Sequence, residues 1–222
     1  MNINSIQILG PYNTGTNLLY KILKQNIVKT IKLDSDGHTF ISKHSTSEEK
    51  IITCIEKHPT TLFICLYKPL NNWIHSIKKT PYGLTRSKSK NIINAKCQLY
   101  RKEYGNIIEL YNHYYKMYIN LINKYDNVIF ISYYDLIYKE NVVEYLSNKL
   151  NYYNLTLRTD HNIFLILNQP SKNHGKSVHS CNEAILLRDK INSSSNMIPE
   201  NPVIIKFFEK KKFKKLKKLK KK

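Results

Sequence analysis

Cysteine is scarce in this sequence, and its cysteines form no recognisable pair. No two of the four are spaced as C-x-x-C: Cys54, Cys65, Cys97 and Cys181. The spacing of His174, His179 and Cys181 matches no standard zinc pattern. We therefore expect reduced thiols, no bound metal, and an intracellular protein.

Long apolar runs are missing as well. No stretch of the 222 residues approaches the roughly 20 apolar residues that a transmembrane helix needs. Residues 1–9 lack the basic region and the apolar run of a signal peptide. The sequence thus predicts no transmembrane segment and a cytoplasmic location, in the host cell if the source is a virus.

Acidic residues are few, 16 against 36 lysines and arginines, which gives a net charge of +20. Half of this excess lies in residues 206–222, with eleven lysines and one glutamate. We predict one domain over residues 1–205 and a disordered tail over 206–222, because like charges oppose folding. The tail suits nonspecific contact with nucleic acid or with an anionic membrane, and its composition fits both. The charge of the domain suits an anionic ligand.

Uninterrupted apolar runs predict the fold class. Buried strands are predicted at residues 5–9, 61–66 and 128–132, and a shorter strand at 38–42. Helical patterns lie between them, at residues 17–28, 48–57, 70–79 and 92–125, and a last one ends near residue 150. Buried strands that alternate with helices predict an α/β protein, a three-layer α/β/α fold with a central, mostly parallel sheet.

The first predicted strand leads into a loop with the layout of a phosphate-binding site. Gly10 is followed by four residues and then by Gly15, after which an apolar-periodic helix begins. Backbone N–H groups and the positive end of the helix dipole attract an anion at such a place. ATP- and GTP-binding loops add lysine and then serine or threonine, where this chain has Thr16 and Asn17. The loop therefore predicts phosphate binding but gives little support for triphosphate hydrolysis.

Three segments, in order, resemble the sulfotransferase family. Residues 12–17 (YNTGTN) are similar to the loop that holds the 5′-phosphosulfate of the donor. Residues 63–84 (FICLYKPLNNWIHSIKKTPYGL) resemble the element for the 3′-phosphate, with Lys68 in the place of an arginine and Ser76 eight residues later. Residues 125–137 (YDNVIFISYYDLI) resemble a later strand and its following segment.

The resemblance implies a P-loop NTPase-like sulfotransferase fold and a donor, 3′-phosphoadenosine 5′-phosphosulfate (PAPS), that needs no metal. It assigns the 5′-phosphosulfate to the loop residues Tyr12, Asn13, Thr14, Gly15, Thr16 and Asn17. Lys68 and Ser76 are implied to hold the 3′-phosphate. The acceptor is then a hydroxyl or an amine, with a carbohydrate as the expected substrate.

Candidate catalytic residues lie near the loop and in the segment ISKHSTSEE. His44 is the candidate base, because similar enzymes carry a histidine there and a neutral imidazole can take a proton from a hydroxyl. Asn13 stands where the family has a basic residue; it can donate a hydrogen bond but has no charge. Lys43 is the candidate for the missing cation. Lys68 offers a point charge where arginine offers a bidentate fork.

Two other functions stay open at this level. One is a nucleotide or nucleoside kinase with a degenerate P-loop, which requires Mg²⁺ and a carboxylate at a strand tip. No aspartate directly ends the runs at 61–66 or 128–132. The other is a non-enzymatic, sulfotransferase-like anion-binding protein, which the replacement at Asn13 favours.

Overall fold

The structure is a computed structural model that describes residues 2–28, 31–34, 40–81, 84–86, 91, 93–138, 142–158, 189–190 and 198–208. His174, His179 and Cys181 lie outside the described residues. Most of the lysine-rich tail, residues 209–222, lies outside them too.

Strands and helices alternate along the first two thirds of the chain. The strands are β1 Ser5–Leu9, β2 Lys32–Asp34, β3 Thr61–Tyr67, β4 Thr85–Arg86, β5 Cys97–Leu99, β6 Lys102–Tyr104 and β7 Val128–Ser132. The helices are α1 Thr16–Asn26, α2 Glu48–Lys57, α3 Leu70–Lys79, α4 Ile107–Lys124, α5 Tyr133–Tyr138 and α6 Val142–Leu150, followed by a 3₁₀ turn, Asn151–Tyr153.

The main sheet has four parallel strands in the order β2-β1-β3-β7. The three strands predicted from apolar runs are confirmed as β1, β3 and β7. The apolar pattern does not predict β2, a three-residue edge strand in which Lys32 is exposed. The strand predicted over residues 38–42 is wrong for the part described, since residues 40–42 are in no strand.

Helices cover both faces of this sheet. On one face, α1, α5 and α6 pack against side chains such as Ile6, Ile64 and Ile131. On the other face, α2, α3 and α4 pack against alternate side chains such as Phe63 and Phe130. Because each strand buries both of its faces, its sequence is apolar throughout. The predicted three-layer α/β/α arrangement with a parallel sheet is confirmed.

The helix predicted over residues 92–125 is wrong in its first part. The helix α4 begins only at Ile107, because the side chain of Asn106 accepts hydrogen bonds from the N–H groups of Ile108 and Glu109 as an N-cap. Before it, β4, β5 and β6 form a separate antiparallel sheet of three strands. Strand pairing there buries Cys97, Leu99 and Tyr104 and overrides the helical pattern.

A short segment near the C-terminus also belongs to the core. Residues 202–208 are helical, so this helix runs across the domain boundary predicted after residue 205. Ile204 is fully buried, and the ring of Phe208 stacks on Tyr67 at a centroid distance of 4.2 Å. No helix among the described residues has the length and apolar character needed to cross a bilayer.

Candidate functional site

The strand order predicts a ligand-binding position at the carboxyl ends of β1 and β3. In open parallel sheets, ligands bind where the connections from two neighbouring strands leave in opposite directions. Here the chain continues from β1 to β2 on one side, and from β3 towards β7 on the other. The loop of residues 10–15 follows β1 and residues 68–69 follow β3, so the two predicted binding segments meet at this point.

The loop requires glycine at both of its ends. A Cβ atom on Gly10 would lie 2.6 Å from Thr14 Oγ1 and 3.2 Å from Leu66 Cβ. Gly15 has a φ of 89°, and a Cβ atom there would lie 2.6 Å from the ring of Tyr133. No side chain caps the N-terminus of α1 at Gly15. This helix end therefore offers N–H groups and a positive dipole to an anion.

The two threonines of the loop are both buried. The hydroxyl of Thr14 donates a 2.7 Å hydrogen bond to the carbonyl of Pro11 and closes the loop on itself. Thr16, the first residue of α1, is 5% exposed. The hydroxyl of Thr14 thus stabilises the loop. The backbone N–H groups of the loop are therefore the main donors that a ligand would contact.

Lys68 joins the loop to α3. Its Nζ donates to the carbonyl of Asn13 at 3.1 Å and to Ser76 Oγ at 2.8 Å, and it lies 4.3 Å from the ring centroid of Tyr133. Among the described residues, no carboxylate forms an ion pair with Lys68. Burial without a counter-charge lowers the pKa of this lysine to about 7. An anion bound beside it would therefore be strongly favoured.

Asn13 uses its side chain to hold the loop against the end of α3. Its Nδ2 donates to the carbonyl of Thr80 at 2.7 Å and to that of Ser76 at 3.4 Å. Its φ of 62° is left-handed, a conformation that asparagine tolerates better than most residues. Trp73 fixes the preceding residue through a 2.7 Å bond from Nε1 to the carbonyl of Tyr12. The amide of Asn13 is thus committed to the scaffold.

His44 stands at the start of the same loop. Its Nδ1 lies 2.6 Å from the carbonyl of Gly10, and its ring lies on that of Tyr12 with centroids 3.9 Å apart. A carbonyl oxygen only accepts, so Nδ1 carries the proton in the neutral ring and the lone pair is on Nε2. The hydroxyl of Tyr114 donates to the carbonyl of His44 at 2.6 Å and fixes its backbone. Position and tautomer suit a base.

Lys43 joins the chain around His44 to both ends of the loop that follows β1. Its carbonyl accepts from the N–H of Gly10 at 2.8 Å. Its Nζ donates to Asn17 Oδ1 at 3.0 Å, in the first turn of α1. The structure therefore brings all the predicted site residues together around one loop, although they come from three chain segments.

Glu200 is a neighbour that the sequence does not indicate. Its carboxylate accepts from the N–H of Leu70 at 3.2 Å, at the N-terminus of α3. It also accepts from the hydroxyls of Tyr67 and Tyr111, at 2.8 Å and 2.6 Å. The partners are up to 133 residues apart in the chain, so no local pattern could reveal this cap. It fixes the helix that carries Ser76.

Tyr100 is a second unpredicted neighbour, at the turn between β5 and β6. Its hydroxyl lies 3.1 Å from that of Tyr12 and 3.2 Å from Ser42 Oγ. Because Tyr12 stacks on His44, this contact brings the small antiparallel sheet to the candidate base.

Acidic groups are sparse around the site. Asp34 ends β2 beside Gln7 of β1, and its Oδ2 accepts from the N–H of Phe40 at 3.0 Å. Within the described part of the chain, no group of three or more histidine, cysteine, aspartate or glutamate side chains could hold a metal ion.

Comparisons with protein-family models, with curated proteins and with solved structures give no match to this chain. No activity of a relative can therefore be transferred to it, and function has to be argued from the site.

Proposed function

We propose that this protein is a sulfotransferase with a P-loop NTPase-like sulfotransferase fold. It would move a sulfuryl group from 3′-phosphoadenosine 5′-phosphosulfate to a hydroxyl or an amine, with a carbohydrate as the expected acceptor. The meeting of Lys68 and Ser76 with the loop after β1 carries the proposal. A nucleotide with a phosphate on both the 3′ and the 5′ side of its ribose needs two neighbouring anion-binding groups of this kind.

In this proposal, the backbone of residues 13–17 holds the 5′-phosphosulfate at the N-terminus of α1. Lys68 holds the 3′-phosphate, and Ser76 positions the ammonium group of Lys68 for it. The lysine is buried with no described carboxylate partner, and a bound phosphate supplies the missing negative charge. Ser76 already donates its proton to the carbonyl of Asn72 at 3.0 Å, so its oxygen accepts from Lys68 and orients the ammonium group.

The transfer of the sulfuryl group needs neither a metal nor a redox partner. His44 takes the proton of the acceptor group on Nε2 while the acceptor oxygen or nitrogen forms a bond to sulfur. The bond from sulfur to the oxygen that bridges it to the 5′-phosphate breaks, and adenosine 3′,5′-bisphosphate leaves with the electron pair. The helix N-terminus and Lys43, held there through Asn17, stabilise the charge that develops.

Two observations favour the alternative functions, a P-loop kinase and a non-enzymatic anion-binding protein, so the experiment has to distinguish all three. The buried carboxylate of Asp34 stands at a strand tip beside β1, as a P-loop kinase would require. Asn13 has no charge, and its amide already donates to the carbonyls of Ser76 and Thr80, so it offers the ligand neither a cation nor a donor, as a non-enzymatic anion-binding protein would tolerate.

Titration calorimetry separates these functions. We expect adenosine 3′,5′-bisphosphate to bind more tightly than ATP with Mg²⁺, and incubation with the phosphosulfate donor to release the bisphosphate when an acceptor is present. Tighter binding of ATP with Mg²⁺ would favour the kinase and contradict the proposal. Binding of the bisphosphate without any transfer from the donor would favour the non-enzymatic protein.

A further inference from the structure

The turn between β5 and β6 is built from residues that such turns avoid. Tyr100 and Arg101 both have positive φ, 49° and 65°. A two-residue hairpin turn of type I′ needs positive φ at both positions, and it strongly favours Asn-Gly. Side chains as large as tyrosine and arginine are strained there. Strain of this kind persists where function requires the residues.

The strained turn reaches the candidate base. The hydroxyl of Tyr100 contacts those of Tyr12 and Ser42, and the ring of Tyr12 lies on His44. Even so, Tyr100 remains 51% exposed. An exposed aromatic residue one side chain away from the base is well placed to contact the molecule that the base deprotonates.

The turn is also positively charged. Arg101 and Lys102 are both exposed, next to one exposed carboxylate, Glu103. Arginine in particular forms bidentate pairs with carboxylate and with sulfate-like groups. A planar, fully charged side chain next to Tyr100, whose hydroxyl contacts Tyr12 beside the candidate base, favours an anionic substrate.

We propose that Tyr100 and Arg101 bind the acceptor and select one that carries an anionic group beside a sugar ring. Tyr100 packs on the ring, and Arg101 pairs with the carboxylate or sulfate. The inference rests on the proposed function, because the role of His44 fixes where the acceptor group must stand. The strained turn is retained because Asn-Gly would lack both contacts.

The double variant Tyr100→Asn/Arg101→Gly tests the inference, since it installs the residues that the turn favours. Relief of strain is expected to raise Tm, by roughly 2–4 °C. Binding is measured by saturation-transfer NMR with adenosine 3′,5′-bisphosphate present. The probes are a glucuronate-containing hexasaccharide and the same hexasaccharide with its carboxyl groups reduced to alcohols.

Wild-type protein is expected to bind the acidic hexasaccharide at least about tenfold more tightly than the reduced one, as one charge-assisted pair allows. Arg101→Gly should reduce this preference severalfold, to what the net positive charge of the protein supplies, and Tyr100→Asn should weaken binding of both probes equally. Equal binding of the two probes by wild-type protein, or an unchanged preference in Arg101→Gly, would overturn the inference. Binding of adenosine 3′,5′-bisphosphate, measured alone on each variant, shows separately whether the proposed function stands.

Discussion

The ammonium group of Lys68 donates to the hydroxyl of Ser76 across 2.8 Å. This bond links the end of β3 to a residue two turns into α3, and a second bond from Lys68 links both to the loop at Asn13. The buried side chain of Lys68 therefore lies between the loop after β1 and the middle of α3. Its protonation and its partners give the following predictions.

Stability should depend on pH through Lys68. Burial lowers the pKa of Lys68 to about 7 in the folded protein, whereas an unfolded chain has a lysine pKa of roughly 10.4. Between these values the unfolded chain binds a proton that the folded protein lacks, so this group makes stability rise with pH. Its slope is at most about 1.4 kcal/mol per pH unit, and it vanishes below the folded pKa.

Urea unfolding of wild-type protein and of Lys68→Met at pH 7 and pH 8.5 measures this effect. The stability of the wild type relative to the variant should increase by about 1.5–2 kcal/mol over this interval. Burial also raises the pKa of Cys65 and Cys97, but the variant keeps both thiols, so their effect cancels. A difference that does not change with pH would contradict the lowered pKa of Lys68.

Through Lys68, binding of adenosine 3′,5′-bisphosphate should take up a proton at pH 8 and almost none at pH 6, measured as the difference between wild-type protein and Lys68→Arg. At the higher pH Lys68 is mostly neutral, and a phosphate beside it favours the charged form. Calorimetry in two buffers with different ionisation enthalpies gives the number of protons directly. Lys68→Arg is the matched control, because arginine keeps its charge at both pH values and should bind without uptake. Equal uptake by the wild type and this variant would place the proton elsewhere.

His44→Asn should remove the base and keep the loop. The amide of asparagine reaches about as far as Nδ1 and can still donate to the carbonyl of Gly10, but it has no atom in the place of Nε2. We expect kcat for sulfuryl transfer to fall by about 10²–10⁴-fold, with affinity for adenosine 3′,5′-bisphosphate unchanged. Transfer within about threefold of the wild-type rate would exclude His44 as the general base.

Asn13 should stabilise the loop both through its amide and through its tolerance of positive φ. Asn13→Gly loses the bonds to Thr80 and Ser76, and we expect a loss of about 1 kcal/mol. Asn13→Ala loses the same bonds but keeps a Cβ atom in the left-handed region, where alanine is less favourable than asparagine, so it should be less stable than Asn13→Gly by about 1 kcal/mol or more. Chemical denaturation measures both variants, and equal stability of the two would show that φ at this position is not restrained.

The sequence predicts the parts of the fold that depend on burial. β1, β3 and β7 are apolar on both faces because helices cover both sides of the sheet. The apolar pattern does not predict β2 or the small sheet of β4, β5 and β6. These strands have only two or three residues, and their conformation depends on the strands they pair with rather than on their own sequence pattern.

The candidate site also has a part that the sequence predicts and a part that it does not. Gly10, Gly15 and the interval from Lys68 to Ser76 are visible locally, because a loop and one strand–helix unit determine their positions. The contact of Tyr100 with Tyr12 joins residues 88 positions apart, and it depends on how the small sheet packs. Such contacts have no signature in the chain itself.

The affinity gained from a 3′-phosphate is the most direct test of the nucleotide site. Adenosine 3′,5′-bisphosphate and adenosine 5′-phosphate are titrated against wild-type protein, Lys68→Met and Ser76→Ala. We expect the wild type to bind the bisphosphate roughly 10–100-fold more tightly, as a charge-assisted bond allows. Lys68→Met should lose this gain and keep its affinity for the 5′-phosphate, and Ser76→Ala should lose part of it. Equal affinity of the wild type for both nucleotides would show that Lys68 and Ser76 do not bind a 3′-phosphate.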